Sequence, residues 1–176
     1  MRRSPAACCL LALVAACAAE PPPAPRERVE NPGLGIAIAA LPVGFTIVAN
    51  EGTTLELRGV SSKGPGTLTF AAGPAETNIN LVEEIARQKE AFLAQPSGEY
   101  FGQRELVTPN GTAFTVRGRY AAPEGATEEV KVLAIHPWGD RKLFLTYRYP
   151  AGGDTQERAD QLLEVIGEIE GVGTGS

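Results

Sequence analysis

The chain has 176 residues and a formal net charge of -5 at pH 7. Hydrophobic residues make up 43% of it and charged residues 21%, which excludes an intrinsically disordered chain and an integral membrane bundle. Because nucleic-acid binding depends on clusters of Lys and Arg that release counterions, an acidic chain of this kind is not expected to bind nucleic acid. The length allows one domain of ordinary size.

The N-terminus has the pattern of an export signal. Arg2 and Arg3 precede the apolar run Ala6–Ala16, and Glu20 and several prolines follow it. A transmembrane helix needs about 20 apolar residues, so this run is too short to span a bilayer comfortably. We therefore predict a signal peptide over residues 1–16. The arginine pair also fits the twin-arginine route, although the other residues of that motif are absent.

The end of the apolar run, Val14-Ala15-Ala16-Cys17, resembles the lipobox of bacterial lipoproteins. In those proteins the cysteine thiol receives a diacylglyceryl group and then becomes the first mature residue. The resemblance implies lipid attachment at Cys17, and several acyl chains hold a protein on a membrane without a spanning segment. Ala18 rather than Asp follows the cysteine, which by the same resemblance favours the outer membrane of a two-membrane cell. The alternative is an ordinary signal-peptidase site at Ala16-Cys17-Ala18, which would release a soluble protein.

Cysteine usage agrees with export. Cys8 and Cys9 would leave with the signal peptide and Cys17 would carry lipid, so the folded region would contain no thiol. No disulfide, thiol nucleophile or thiolate metal site is therefore expected. Because anionic headgroups repel an acidic body, the domain should project into solvent.

Composition divides the mature chain into three parts. Residues 17–32 hold the lipidated cysteine and a proline-rich segment, which favours an extended tether. Residues 33–170 carry the alternating apolar patterns of a folded domain. Residues 171–176 form a glycine-rich tail, which we interpret as a frayed terminus.

The first half of the domain predicts strands followed by a helix. Period-two alternation and turn residues indicate extended segments around 34–38, 45–48, 54–58 and 67–70. Asn80 and Glu83 form a capping-box pattern at the start of a helix, which ends before Pro96. An apolar stripe follows at helical spacing and comprises Leu81, Val82, Ile85, Phe92 and Leu93.

The second half predicts a meander of strands and a terminal helix. Strands are indicated at 100–107, 112–120, 129–136 and 142–149, and Asn110-Gly111 is a strong hairpin signal. The last helix begins at Asp154 and Glu157 and ends at Gly171, with a stripe of Leu162, Leu163, Ile166 and Ile169. Apolar residues occupy both faces of the last two strands. We therefore predict an α+β fold: a three-layer α/β/α sandwich with a central, mainly antiparallel sheet and a helix-bearing layer on each face.

This order of three strands, a helix, a meander and a terminal helix, behind a lipobox and a proline-rich tether, resembles the PsbP-like group. The resemblance covers Gly33 to Glu170, and its local match is Leu41-Pro42-Val43-Gly44-Phe45, where relatives often carry a Pro-x-Gly-aromatic turn with Trp in place of Phe45. The group includes photosystem-associated PsbP proteins, eukaryotic Ran-binding relatives and small bacterial lipoproteins. Membership implies a binding or assembly module without a shared catalytic site, and the sequence offers no match to the ligands of the PsbP metal sites.

His136 is the only histidine, which excludes a multi-histidine metal site. A hydrolase would pair it with Asp140 and a serine, but the serines at 61, 62 and 97 lie in glycine-rich loops outside any Gly-x-Ser-x-Gly elbow. We expect instead that His136 ends a strand, with one ring nitrogen bonded to the main chain. No catalytic residue, metal ligand or cofactor is predicted.

Trp138 is the second candidate residue. It lies in the turn Pro137–Asp140, where it either seals a helix against the sheet or serves as a recognition anchor, and we favour sealing. Trp138 and His136 are nevertheless the candidate binding residues. The acidic pairs Glu83-Glu84 and Glu128-Glu129 are expected on solvated faces, since neighbouring residues of one element do not converge on one point.

Three functional hypotheses follow. The first is a membrane-tethered, non-catalytic lipoprotein that binds another envelope protein. The second is a carrier that holds a small ligand in a cleft between helix and sheet, for which an apolar pocket of several hundred cubic ångströms would be the evidence. The third is an envelope hydrolase that uses His136. A flat apolar patch beside Trp138 would favour the first hypothesis, and a serine within reach of His136 would favour the third.

Overall fold

The structure, a computed structural model, describes residues 26–62, 64–152 and 155–173. The predicted signal peptide, Cys17 and residues 18–25 of the predicted tether lie outside these residues. In chain order the elements are β1 (Val29–Asn31), β2 (Ile36–Ile38), β3 (Phe45–Glu51), β4 (Thr54–Ser61), β5 (Gly64–Ala75), α1 (Leu81–Leu93), β6 (Glu99–Thr108), β7 (Gly111–Ala122), β8 (Gly125–Ile135), β9 (Arg141–Pro150), α2 (Thr155–Gly167) and β10 (Ile169–Gly171).

Seven strands form one antiparallel sheet in the order β3-β4-β5-β9-β8-β7-β6. Hairpins make most of these pairings, as the sequence predicts, and the Asn110-Gly111 turn joins β6 to β7 with Gly111 at a φ of 105°. The pairing of β5 with β9 is the exception, because α1 and three strands lie between them in sequence. The chain thus leaves β3 and β6 as the two edges of the sheet.

A second, small sheet joins the two ends of the domain. Its order is β1-β2-β10, with both outer strands antiparallel to β2. Two predicted boundaries are therefore wrong. Val29 to Asn31 were assigned to the tether but form β1, and Gly171 was assigned to the tail but ends β10. The side chains of Val29 and Asn31 are buried, so the folded domain begins before residue 33.

The buried side chains form two clusters on opposite sides of the large sheet. Val130 and Val132 of β8 belong to the larger cluster, whereas Leu133 belongs to the smaller one. Helix α2 contributes Leu162, Val165 and Ile166 to the larger cluster, and α1 contributes Leu81, Ile85 and Phe92 to the smaller one. This alternation along the strand is the one that the sequence predicts for two-sided burial.

Helix cover is nevertheless partial, which corrects the predicted three-layer sandwich. Helix α1 packs on β6, β7 and β8. On β4 the side chains alternate between buried and solvent-facing: Leu55 and Leu57 are buried, Arg58 is exposed and Glu56 is half-buried. The same alternation on β5 places Thr67 and Thr69 beside them. The molecule is therefore dominated by its antiparallel sheet, with two helices that each cover part of it.

Helix α1 begins as predicted. The Asn80 side chain accepts a hydrogen bond from the Glu83 main-chain N–H at 3.0 Å, which satisfies one of the free donors of the first turn. The predicted stripe needs correction, because Val82 and Leu93 are 69% and 53% exposed and Glu84 is buried. In α2, Leu163 is exposed, Val165 is buried, and the helix ends at Gly167 rather than Gly171. Asp154 lies outside the described residues.

Candidate functional site

His136 is buried, and its ring forms hydrogen bonds with two main-chain groups. Its Nε2 donates to the carbonyl oxygen of Leu34 at 2.9 Å, and its Nδ1 accepts from the main-chain N–H of Trp138 at 3.1 Å. This pattern requires the neutral ring with its proton on Nε2. Burial lowers the pKa of His136, and the hydrogen bond to Leu34 opposes that shift only in part. Both ring nitrogens are engaged, so neither is free to act as the base of the hydrolase hypothesis.

Trp138 is half-buried and seals the small sheet rather than a helix. Its indole Nε1 donates to the carbonyl oxygen of Val172 at 3.1 Å. A Cβ added at Gly35 would lie 2.3 Å from the indole ring. The ring also stacks edge-on with His136, and the Arg141 guanidinium lies 5.0 Å above it. The two predicted binding residues are thus brought together, in contacts that are internal to the domain.

Two acidic residues that were expected in solvent are buried instead. Glu129 is 3% exposed and contacts Arg148 at 2.5 Å, Lys131 at 3.2 Å and the Tyr120 hydroxyl at 3.1 Å. Burial works against the charge of Arg148, but the hydrogen bond to Glu129 raises the pKa of that guanidinium above its usual value. The alternation of β8 explains the error, because Glu129 shares a face with Lys131 and Leu133, beneath α1.

Glu84 is the second buried carboxylate. It accepts hydrogen bonds from Arg87 and Gln88, and Lys142 lies 3.7 Å from it. Gln88 in turn accepts from Lys131 at 2.6 Å, so the polar groups beneath α1 connect Glu84 to Glu129. Such satisfied ionic groups fix the position of a helix on a sheet.

A cleft of about 450 Å³ lies between α2 and the β6 edge of the large sheet. We call it the α2 cleft. The carrier hypothesis predicts a cleft in this position, between a helix and the sheet. No single motif predicts it, because it depends on how far α2 extends over the sheet. Its lining residues are Phe101, Gly102, Gln103, Arg104, Leu106, Thr115, Arg117, Val130, Gln156, Ala159, Leu162, Leu163 and Ile166.

The other exposed apolar feature is the free edge formed by β3. Val43, Ile47, Val48 and Val60 are 79%, 38%, 55% and 55% exposed. They surround the edge without sharing one face of the sheet: Ile47 pairs with Leu57 and lies on the face of that residue, whereas Val60 lies on the opposite face with Arg58. We call these four residues the β3 edge strip. Val48 sits at a bulge between Ile47 and Ala49.

The two edges of the large sheet are protected differently. Exposed edge strands invite pairing with other chains, and proteins usually place charges on them to prevent it. Strand β6 carries Glu99, Arg104 and Glu105. Strand β3 has the sequence FTIVANE and carries a charge only at its last residue, Glu51. The β3 edge is therefore the less protected one.

Neither helix in the part of the chain that the structure describes has the length and apolar character needed to cross a bilayer. Within those residues, no three His, Cys, Asp or Glu side chains come together in a way that could hold a metal ion.

No protein-family model matches the chain, and no curated protein matches its sequence. Solved structures match its fold. The Ran-binding protein Mog1p of Saccharomyces cerevisiae has a TM-score of 0.57 at 14% identity, covering 85% of this chain and 96% of that one. LpqN of Mycobacterium tuberculosis, described as involved in cell envelope biogenesis, has a TM-score of 0.53 at 11% identity, covering 85% and 86%. The PsbP protein (CyanoP) of the cyanobacterium Synechocystis has a TM-score of 0.51 at 12% identity, covering 84% and 93%.

The fold of this chain is therefore PsbP-like, as the resemblance at Leu41 to Phe45 implies. At these identities the likeness concerns the fold alone.

Proposed function

We propose that this chain is a non-catalytic envelope lipoprotein whose domain binds an extended segment of another envelope protein along β3. The observation that carries the proposal is the β3 edge strip, where β3 pairs with no further strand among the described residues and lies beside exposed valine and isoleucine side chains. A segment that adds as a strand gains main-chain hydrogen bonds from the edge and covers these side chains. Mog1p as a Ran-binding protein and LpqN in envelope biogenesis support a binding role on this fold.

In this proposal Cys17 carries the lipid, and the tether begins at that residue. The main-chain N–H of Leu41 donates to the carbonyl oxygen of Glu27 at 2.7 Å, so the chain is bound to the domain from Glu27 onward and nine residues, 18–26, remain for the tether. A proline-rich segment of this length would span up to about 28 Å if fully extended at about 3.1 Å per residue. This distance leaves the β3 edge accessible to a partner in the same compartment.

Two matched variants test the proposal. The full-length protein is purified from membranes with its bound partners, as wild type, as Val48→Lys and as Val107→Lys. Val107 is 91% exposed on β6, the opposite edge, and serves as the control. We expect Val48→Lys to lose a partner that wild type and Val107→Lys retain, with unchanged unfolding midpoints for all three. Equal partner recovery from all three proteins would contradict the proposal.

The α2 cleft supports a second candidate function, that of a small-ligand carrier. Its volume of about 450 Å³ lies within the range of small-molecule sites, and apolar side chains from β6, β8 and α2 line it. Binding of a small ligand that shifts amide signals of α2 and β6, and not those of β3, would identify this function.

A further inference from the structure

The α2 cleft has an apolar floor and an apolar wall. On the sheet, Leu106 and Val130 form the floor, and on the helix Leu162 and Ile166 reach toward it. Leu163 extends the wall outward and is 42% exposed. Val130, Leu162 and Ile166 are already buried, so an apolar chain lying here would cover mainly Leu106, which is half-buried, and Leu163.

A bulge in β6 adds an aromatic group at one end. The register of β6 and β7 shifts between Tyr100 and Gly102, so that one extra residue, Phe101, is inserted. Gly102 allows this with a φ of 106°. Phe101 is 40% exposed, and the guanidinium of Arg117 lies 5.6 Å from its ring centre. The bulge therefore places an aromatic ring and a cation together at the mouth of the cleft.

Two cations of the cleft have no anionic partner among the described residues. Arg104 and Arg117 lie on adjacent strands, since Arg104 pairs with Thr115 and Arg117 with Gly102, which makes them diagonal neighbours on one face. The adjacent Arg119, in contrast, is paired with Glu99 at 2.8 Å. In a chain with a net charge of -5, two unpaired guanidinium groups beside an apolar cleft provide a specific place for an anion.

We propose that the α2 cleft binds a single-chain anionic amphiphile, with its carboxylate or phosphate on Arg104 and Arg117 and its hydrocarbon chain between Leu106 and Ile166. The proposal deepens the carrier function named above and is independent of binding at the β3 edge. Guanidinium groups bind carboxylate and phosphate oxygens through paired hydrogen bonds, and the half-buried position of Arg117 strengthens that contact.

Four probes with a ten-carbon chain test the ligand class by calorimetric titration below their micelle concentrations or solubility limits: decanoate, decyl phosphate, 1-decanol and decyltrimethylammonium. Inorganic phosphate is the fifth probe and lacks the chain. We expect decanoate and decyl phosphate to bind at least tenfold more tightly than the neutral and cationic probes, and inorganic phosphate alone to bind weakly. Equal binding of 1-decanol and decanoate would overturn the anionic class while leaving a carrier. Absence of binding by all chain-bearing probes would overturn the carrier function too.

Substitutions locate the site. The double variant Arg104→Gln/Arg117→Gln should weaken decanoate binding about tenfold or more and leave 1-decanol unchanged. Arg58→Gln is the matched control, since Arg58 is an exposed strand arginine on β4, away from the cleft. Ala159→Phe, which adds a ring to the helix wall, should weaken both probes. Unchanged decanoate binding by the double variant, in a protein with a wild-type unfolding midpoint, would overturn the proposal.

Discussion

The indole Nε1 of Trp138 donates to the carbonyl oxygen of Val172 at 3.1 Å. This hydrogen bond connects the β8–β9 turn to the chain just after β10, while the six-membered part of the same ring lies against Gly35. The main-chain N–H of Val172 also donates to the carbonyl of Gly35 at 3.1 Å. Trp138 therefore holds the small sheet against the large one.

Gly35→Ala should destabilise the domain strongly. Gly35 has a φ of 71°, and an added Cβ would lie 2.3 Å from the Trp138 ring. Backbone strain and overpacking together should lower the free energy of unfolding by about 2–4 kcal/mol, as measured by urea titration.

Gly139→Ala is the control for that measurement. Its φ of 78° imposes similar strain, but nothing lies within 4 Å of the added Cβ. We expect a loss of about 1–2 kcal/mol from strain alone. Equal losses for the two variants would refute the packing role of Trp138.

Glu129→Gln should destabilise the domain because it leaves Arg148 and Lys131 without their shared carboxylate. Removing one partner of a fully buried pair costs about 3–5 kcal/mol, and the half-exposed Arg148 side chain reduces the expected loss to about 2 kcal/mol. Glu99→Gln breaks an exposed pair with Arg119 and should cost less than about 1 kcal/mol. Chemical unfolding of both variants measures the difference, and a Glu129 variant as stable as the Glu99 variant would contradict it.

His136 should make stability depend on pH below neutrality. Its pKa in the folded state is lowered by burial, so the unfolded chain binds the proton more readily. The stabilising contribution is then complete above the unfolded pKa of about 6.5 and declines as pH falls from there toward the lowered folded value. Because the chain has a single histidine, free energies of unfolding at pH 7.5 and 5.5 report on this group. His136→Gln should reduce the difference between the two pH values, and an equal difference in the variant would argue against this assignment.

Lipid attachment at Cys17 predicts the mass of the mature N-terminus. Protein expressed in a bacterial host and extracted from membranes should begin at Cys17 and carry acyl chains. Cys17→Ser should remove the acyl mass and release the domain from the membrane fraction. An unmodified Cys17, or a mature chain that begins beyond it, would exclude the anchor.

Local signals predicted the elements well. Asn80 accepts the N–H of Glu83, as its place in the capping pattern implies, and Asn110-Gly111 forms the β6–β7 hairpin. Each of these features depends on residues a few positions apart, so the sequence alone suffices. The split of apolar residues between the two sides of β8 follows from its period of two for the same reason.

Long-range pairings were missed because their evidence is not local. Strand β1 has three residues in a proline-rich region, and it is held by β2 and by the ion pair of Arg28 with Glu170 at 2.7 Å. Burial of Glu129 depends on α1 lying above it and on cations from two strands. The α2 cleft similarly depends on the bulge at Phe101. Gly102 is the one residue in the local sequence that indicates this bulge.

Site-specific photocrosslinking in intact cells tests binding at the β3 edge most directly. A photoreactive phenylalanine analogue is placed at position 48 on β3 or at position 107 on β6 in the full-length, membrane-attached protein. We expect one dominant adduct from position 48, identified by mass spectrometry as an envelope protein, and none of that mass from position 107. The same adduct from both positions, or adducts from position 107 alone, would contradict it.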